Sequence, residues 1–209
     1  MPIIQKIPGR EGQIIAVWEI TETEKDLLSK ILISFEEENT FYTIKSEQRK
    51  KEWLAVRALL QELLPERPEI LYKENGKPYL MGNSTHISIS HSGIYVAIAL
   101  HPSATPGVDI EAIHPRVQKI SSKFINDSER AFLNKKNLIE QLCIIWCCKE
   151  VLYKIHPEGM LRFKENLLVD HFVYEGKGDL KGTIITPEKT THYKLSYKTI
   201  NNYILVYSD

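Results

Sequence analysis

A mixed fold of helices and strands, with both kinds of element in each half of the chain, is predicted by three observations. Apolar runs with β-branched residues recur over 14–20 and again over 86–100. Two stretches, 46–64 and 138–155, carry apolar residues at helical spacing. From Asn166 onward the letters alternate polar and apolar, as strands do.

In chain order, IIAVWEI over 14–20 is the first strand, and 21–35 follows as a helix with Thr21 as cap and Glu24 three residues on. A longer helix over 46–64, closed by Pro65, places Trp53, Val56, Leu60 and Leu63 on one face. LYKE-NG-KPYL is a hairpin about Asn75-Gly76. THISIS and IYVAIAL are strands joined by a turn at His91-Ser92-Gly93. HPSATP, 101–106, is a linker, and the next strand begins at Gly107. Asn126 with Glu129 forms a capping pattern ahead of 130–133. The helix over 138–155 is stopped by Pro157 and Gly159, and later turns fall at EGKGD and TPEKT. No repeat of letters relates the two halves, and no segment is of low complexity.

Charge narrows the functional classes. Lys plus Arg equals Asp plus Glu at 27 each, so nothing points to nucleic acid or a membrane surface, and an anion site has to be local. The opening MPIIQKIPGREGQ lacks the apolar run of a secretory signal, and no stretch is apolar for long enough to span a bilayer. Cys143, Cys147 and Cys148 are too clustered for a disulfide framework and lack zinc-site spacing. They read as small buried helix residues of a cytoplasmic protein.

The chemistry begins at GVDIE, 107–111. On a strand, Val108 and Ile110 share one face while Asp109 and Glu111 share the other, as two acids converging on a hard cation would. A solvent-facing strand would show the same letters. In WCCKEVLYK, 146–154, Glu150 and Lys154 lie one turn apart, as a surface pair or as part of a site. Cations stand near turns and on the second helix: Lys77 before Pro78, His91 beside Ser90 and Ser92, and Lys50 and Arg57 with Trp53. A polyanion needs several such groups from separate elements.

ISISHS, GVDIE and WCCKEVLYK in that order, with GKP upstream, resemble the Sfp-type 4'-phosphopantetheinyl transferases over residues 76–154. RKKEWLAVRALL is similar to the family's N-terminal region. The resemblance implies an α+β fold of two similar halves, 1–104 and 105–209, related by a pseudo-twofold with the ligand cleft between them. It implies Mg²⁺ on Asp109, Glu111 and Glu150, and coenzyme A phosphates on Lys154, Lys77, Pro78, Ser90 and His91. Arg49, Lys50 or Arg57 is the implied contact for the coenzyme's 3'-phosphate. Ser88 stands where the family has Asn, Cys147 where it has Ser or Thr, and Val151 where it has Ala or Ser; none of these removes a ligand.

The implied activity is transfer of phosphopantetheine from coenzyme A to a serine of an apo acyl, polyketide or peptidyl carrier protein, with release of 3',5'-ADP. Glu150 takes the serine proton directly or through a water. The expected state is a monomer without nucleic-acid or membrane partners; the alternative is an inactive relative that only binds carriers. Phe124, flanked by Lys119, Lys123 and Arg130, either meets the acidic carrier helix or packs in the core. No P-loop, DFG or GxGxxG competes with this assignment.

Overall fold

Two hydrophobic clusters organise the chain, one in each of two units, Met1–Thr105 and Pro106–Asp209. The computed structural model describes residues 3–64, 66–156 and 161–209. Pro65, Pro157 and Gly159, named above as helix stops, lie outside the described residues.

In the first unit β1 (Ile3–Pro8) and β2 (Ile14–Glu19) precede three helices, α1 (Glu24–Lys30), α2 (Phe35–Thr43) and α3 (Glu47–Leu63). A small hairpin of β3 (Ile70–Tyr72) and β4 (Pro78–Leu80) leads to β5 (His86–Ser92) and β6 (Tyr95–His101). The sheet is antiparallel in the order β1-β2-β6-β5. The helix expected over 21–35 is two helices. Thr23 with Asp26 and Ser34 with Glu37 each form a capping box, and extended backbone at Ile31 separates them. Thr23, not Thr21, is the first cap, and a second closed box at Ser34 starts a new helix.

Ser46 caps α3 by accepting from the Arg49 amide. Every residue from Glu52 to Leu60 is buried, because α3 packs on β2 and β6 on one side and on α1 on another. The single apolar stripe read from the letters therefore understates its burial. The hairpin at Asn75-Gly76 is present, with Tyr72 opposite Pro78, so five residues make its loop rather than two. Gly76 takes φ +78°, a conformation that favours glycine at this turn.

In the second unit β7 (Val108–Ala112) is followed by α4 (Arg116–Ile120), α5 (Asp127–Phe132) and α6 (Leu138–Ile155). Then come β8 (Leu167–Val169), β9 (Lys177–Ile185), β10 (Thr190–Ile200) and β11 (Tyr203–Ser208). The antiparallel sheet runs β7-β11-β10-β9-β8, with α6 packed on its strands. Cys143, Cys147 and Cys148 are free thiols on the buried side of α6, as the letters suggest.

One device occurs in both units at the same spacing. Glu37, third residue of a capped short helix, accepts from Arg57 Nε at 2.8 Å, 20 residues on. Glu129, likewise third in the Asn126-capped α5, accepts from Lys149 Nζ at 2.9 Å, again 20 residues on. Each carboxylate thus fastens a short helix to a long one. The letters hide this because the cations differ.

Gly107 lies under α6, where an added Cβ would sit 2.7 Å from Val151 Cγ1 and 2.9 Å from the Val151 carbonyl oxygen. Backbone cannot yield as a side-chain tip can. Gly107→Ala should therefore cost about 1–3 kcal/mol in urea unfolding and lift α6 from β7. An unchanged unfolding midpoint would contradict this packing.

Candidate active site

The acids of GVDIE are placed by strand alternation and by the direction of α6. Asp109 pairs across the ladder with Val206 and Glu111 with Ile204, whose side chains belong to the core under α6. Val108 and Ile110 point to the opposite face and are fully buried. Helix α6 runs antiparallel to β7. Cys143 Sγ lies 3.7 Å from the Ala112 carbonyl, while Val151 and Ile155 meet Gly107 near the strand's start.

Lys154 Nζ donates to Asp109 Oδ1 and to the Val108 carbonyl, both at 2.8 Å. The lysine therefore pairs with Asp109 rather than with Glu150, its neighbour one turn away on the helix. Asp109 is 4% exposed, so the strand is no solvent-facing decoration and this acid is not in open water. Glu150 is half-buried. Burial pushes its carboxyl up to about 7, with the charges of Asp109 and Glu111 adding to the rise and Lys154 opposing it. Asp109 and Glu111 on β7 thus act electrostatically on Glu150 of α6.

Hard oxygen donors under mutual repulsion suit a divalent cation such as Mg²⁺ in kind. Among the described residues no three His, Cys, Asp or Glu side chains are grouped closely enough to hold a metal as they stand, and Lys154 supplies the positive charge at Asp109.

In the first unit, His91 Nδ1 lies 3.0 Å from Glu52 Oε2, and Arg49 Nη1 touches both His91 Nε2 and the same carboxylate. Burial alone would raise the Glu52 carboxyl, but the His91 hydrogen bond and charge, with Gln48 and Arg49, hold it below the usual range. Ser90 is buried beside His91 on β5. Lys77 ends the hairpin loop and Pro78 opens β4; burial, aided by the charge of Lys73, lowers the Lys77 ammonium.

The structure bears on two readings the sequence leaves open. Arg57 is 2% exposed, bonded to Glu37 and stacked on Trp53 at 3.1 Å, so its guanidinium is spent inside the first unit and does not offer itself to a phosphate. Lys50 lies over the Phe41 ring near Glu24, leaving Arg49 as the one of the three named cations beside His91. Phe124 is fully buried, edge-on to Trp146 at 5.2 Å, which resolves its two readings in favour of the core. The cations around it, Lys119, Lys123 and Arg130, are exposed.

Sequence reasoning missed Glu52 and the Lys149–Glu129 pair. Glu52 sits amid charged helix letters and gave no signal. For Lys149 a signal existed: Leu142, Ile145, Lys149 and Leu152 share the apolar stripe of α6, so its ammonium had to be buried.

Residues 105–208 match the family model described as the 4'-phosphopantetheinyl transferase superfamily. A 4'-phosphopantetheinyl transferase AcpT of Escherichia coli (strain K12) is 35% identical over 112 residues, 51% of this chain and 57% of that protein. The AcpT of Salmonella typhi is 34% identical over 112 residues, 51% of this chain and 58% of that protein. The alignments thus span little more than half of these curated relatives.

The raised Glu150 carboxyl has a stability consequence in metal-free buffer. Its folded-state pKa of about 7 exceeds the ordinary 4.5. Its contribution is therefore fully present below pH 4.5 and is lost as pH rises through about 7. Glu150→Gln should remove that loss. In urea unfolding with chelator at pH 8 it should be more stable than the parent by about 1–3 kcal/mol, with the gain vanishing near pH 4.5. A gain independent of pH would contradict the assignment.

Proposed function

We propose that this chain, which belongs to the 4'-phosphopantetheinyl transferase superfamily through residues 105–208, moves the 4'-phosphopantetheine group of coenzyme A to a serine of an apo carrier protein. The observation that carries the reading is the meeting of β7 and α6. Asp109 is bonded to Lys154, with Glu111 and Glu150 close enough to act on each other's charge, all inside the matched segment.

The serine oxygen bonds to the phosphorus that bears pantetheine, the phosphoanhydride bond breaks, and 3',5'-ADP leaves. Asp109, Glu111 and Glu150 are the residues that would hold Mg²⁺. When bound, the ion offsets negative charge that grows on the pyrophosphate. Lys154, anchored through the Val108 carbonyl, stands where its ammonium can turn from Asp109 to a phosphate oxygen. The proposed acceptor of the serine proton is Glu150, directly or through a water. In the first unit Arg49, His91, Ser90, Lys77 and Pro78 are the proposed contacts for the coenzyme's other phosphates. No helix among the described residues is long and apolar enough to cross a membrane, and the partners proposed are water-soluble: coenzyme A and a carrier protein.

Incubation with coenzyme A, Mg²⁺ and a panel of apo acyl and peptidyl carrier proteins, read by intact mass, tests the reaction. The expected result is a mass gain of one phosphopantetheine on the carrier, lost in Asp109→Asn and Glu150→Ala. Carrier binding without any gain would favour the second reading, an inactive carrier-binding relative.

Lys154→Met separates structure from chemistry. It leaves the 4%-exposed Asp109 without its ammonium, so metal-free protein should lose about 1–3 kcal/mol in urea unfolding. Turnover at saturating coenzyme should fall roughly 100-fold. Full turnover despite the stability loss would leave Lys154 a structural residue only.

A further inference from the structure

Lys149 and Glu129 are each fully buried, and their 2.9 Å ion pair lies in the interior of the second unit. The three protons of the Lys149 ammonium have three acceptors: Glu129 Oε2, the Phe163 carbonyl at 2.8 Å and the Phe124 carbonyl at 2.5 Å. Glu129 is as fully used. Its Oε2 also accepts from the Asn126 amide and its Oε1 from the Val169 amide, both at 3.0 Å. One helix residue thus fastens α6 to the turn before α5, to α5 itself, to the segment at Phe163 and, through Glu129, to β8.

Trp146, one turn earlier on α6, packs its ring between those of Phe124 at 5.2 Å and Phe163 at 5.3 Å. The same two residues are therefore held twice, by their carbonyls at Lys149 and by their rings at Trp146. Such a grip fixes rotation as well as position. Each residue along a helix turns about 100° and advances about 1.5 Å, so a small slip of α6 would strand a buried ammonium and a buried carboxylate together. That is strongly unfavourable.

Glu150 follows Lys149 directly, and Lys154 lies one turn beyond Glu150. We infer that Lys149 is a positioning residue: its pair with Glu129 and its bonds to the Phe124 and Phe163 carbonyls set the rotation of α6 that brings Glu150 and Lys154 to Asp109. Its part in transfer rests on the function proposed above. Its part in placing Lys154 against Asp109 does not.

The test is the neutral pair Lys149→Met with Glu129→Gln, which removes both charges and so avoids stranding either one. With Mg²⁺ present, turnover at saturating coenzyme A should fall roughly 100-fold, as small misplacements of reacting groups do, while KM for coenzyme A stays close to the parent value. In metal-free protein the unfolding midpoints of Asp109→Asn, Lys154→Met and their combination give the coupling between those two residues. That coupling should shrink to about half or less in the neutral-pair background. Lys149→Arg provides a second variant that keeps the charge pair but replaces the compact ammonium with a longer planar fork. It should lose at least about tenfold in turnover at unchanged KM. A folded neutral pair, or a folded Lys149→Arg, with parental turnover and parental coupling would overturn the inference. Absence of transfer in the parent would sink the proposed function instead, and the midpoint coupling would still decide the role of Lys149.

Discussion

A lysine ammonium enclosed in an apolar core admits very few arrangements, and much of the second unit is organised around one. Desolvating Lys149 and Glu129 is costly, and the cost is offset only while every proton and lone pair has a partner. Their partners come from the turn at Phe124, the cap of α5, the segment at Phe163 and the end of β8. Hydrophobic packing alone tolerates sliding, since one methyl group serves nearly as well as another. The ion pair does not. It makes the core around α6 specific as well as apolar, and the acids of β7 take their helix neighbours from that placement.

The first unit solves the same problem with different chemistry. Glu37 receives Arg57 and Arg67 and also closes the capping box of α2, so a buried carboxylate again joins a short helix to a long one. Arg57 adds what a lysine could not, a planar face laid on Trp53. This explains why an arginine that looks from the letters like a phosphate ligand is a structural residue. Its charge is cancelled by Glu37, and its flat surface is covered by an indole.

The sequence was most readable where a local rule carries the structure. The cap at Asn126, the alternation of GVDIE and the long period of α6 all depend on neighbours within a turn or a ladder step. It was least readable where two distant segments compete or cooperate. The break between α1 and α2 depends on two capping boxes closing. Strand β1 and helix α2 carry no long apolar period, and the burial of Lys149 depends on acceptors from three later or earlier segments. For the site, residue types and order were visible, but partnership was not: i,i+4 spacing suggested Glu150 for Lys154, and the strand supplied Asp109 instead. Spacing along a helix shows which side chains can meet, while burial decides which of them must.

The place of β7 in its sheet has one further consequence. It is an edge strand whose ladder partner is β11, and Gly107 bonds through its amide to Ser208 Oγ, 101 residues away. During synthesis Asp109 and Glu111 emerge long before the strand that will fix their direction. Through that interval the segment that carries them lacks its ladder partner, and closing so long a loop is among the slower steps of folding. The carboxylates keep that unpaired segment charged, which discourages it from pairing with other chains. The same two side chains can thus guard the nascent polypeptide against aggregation before they have any site to serve.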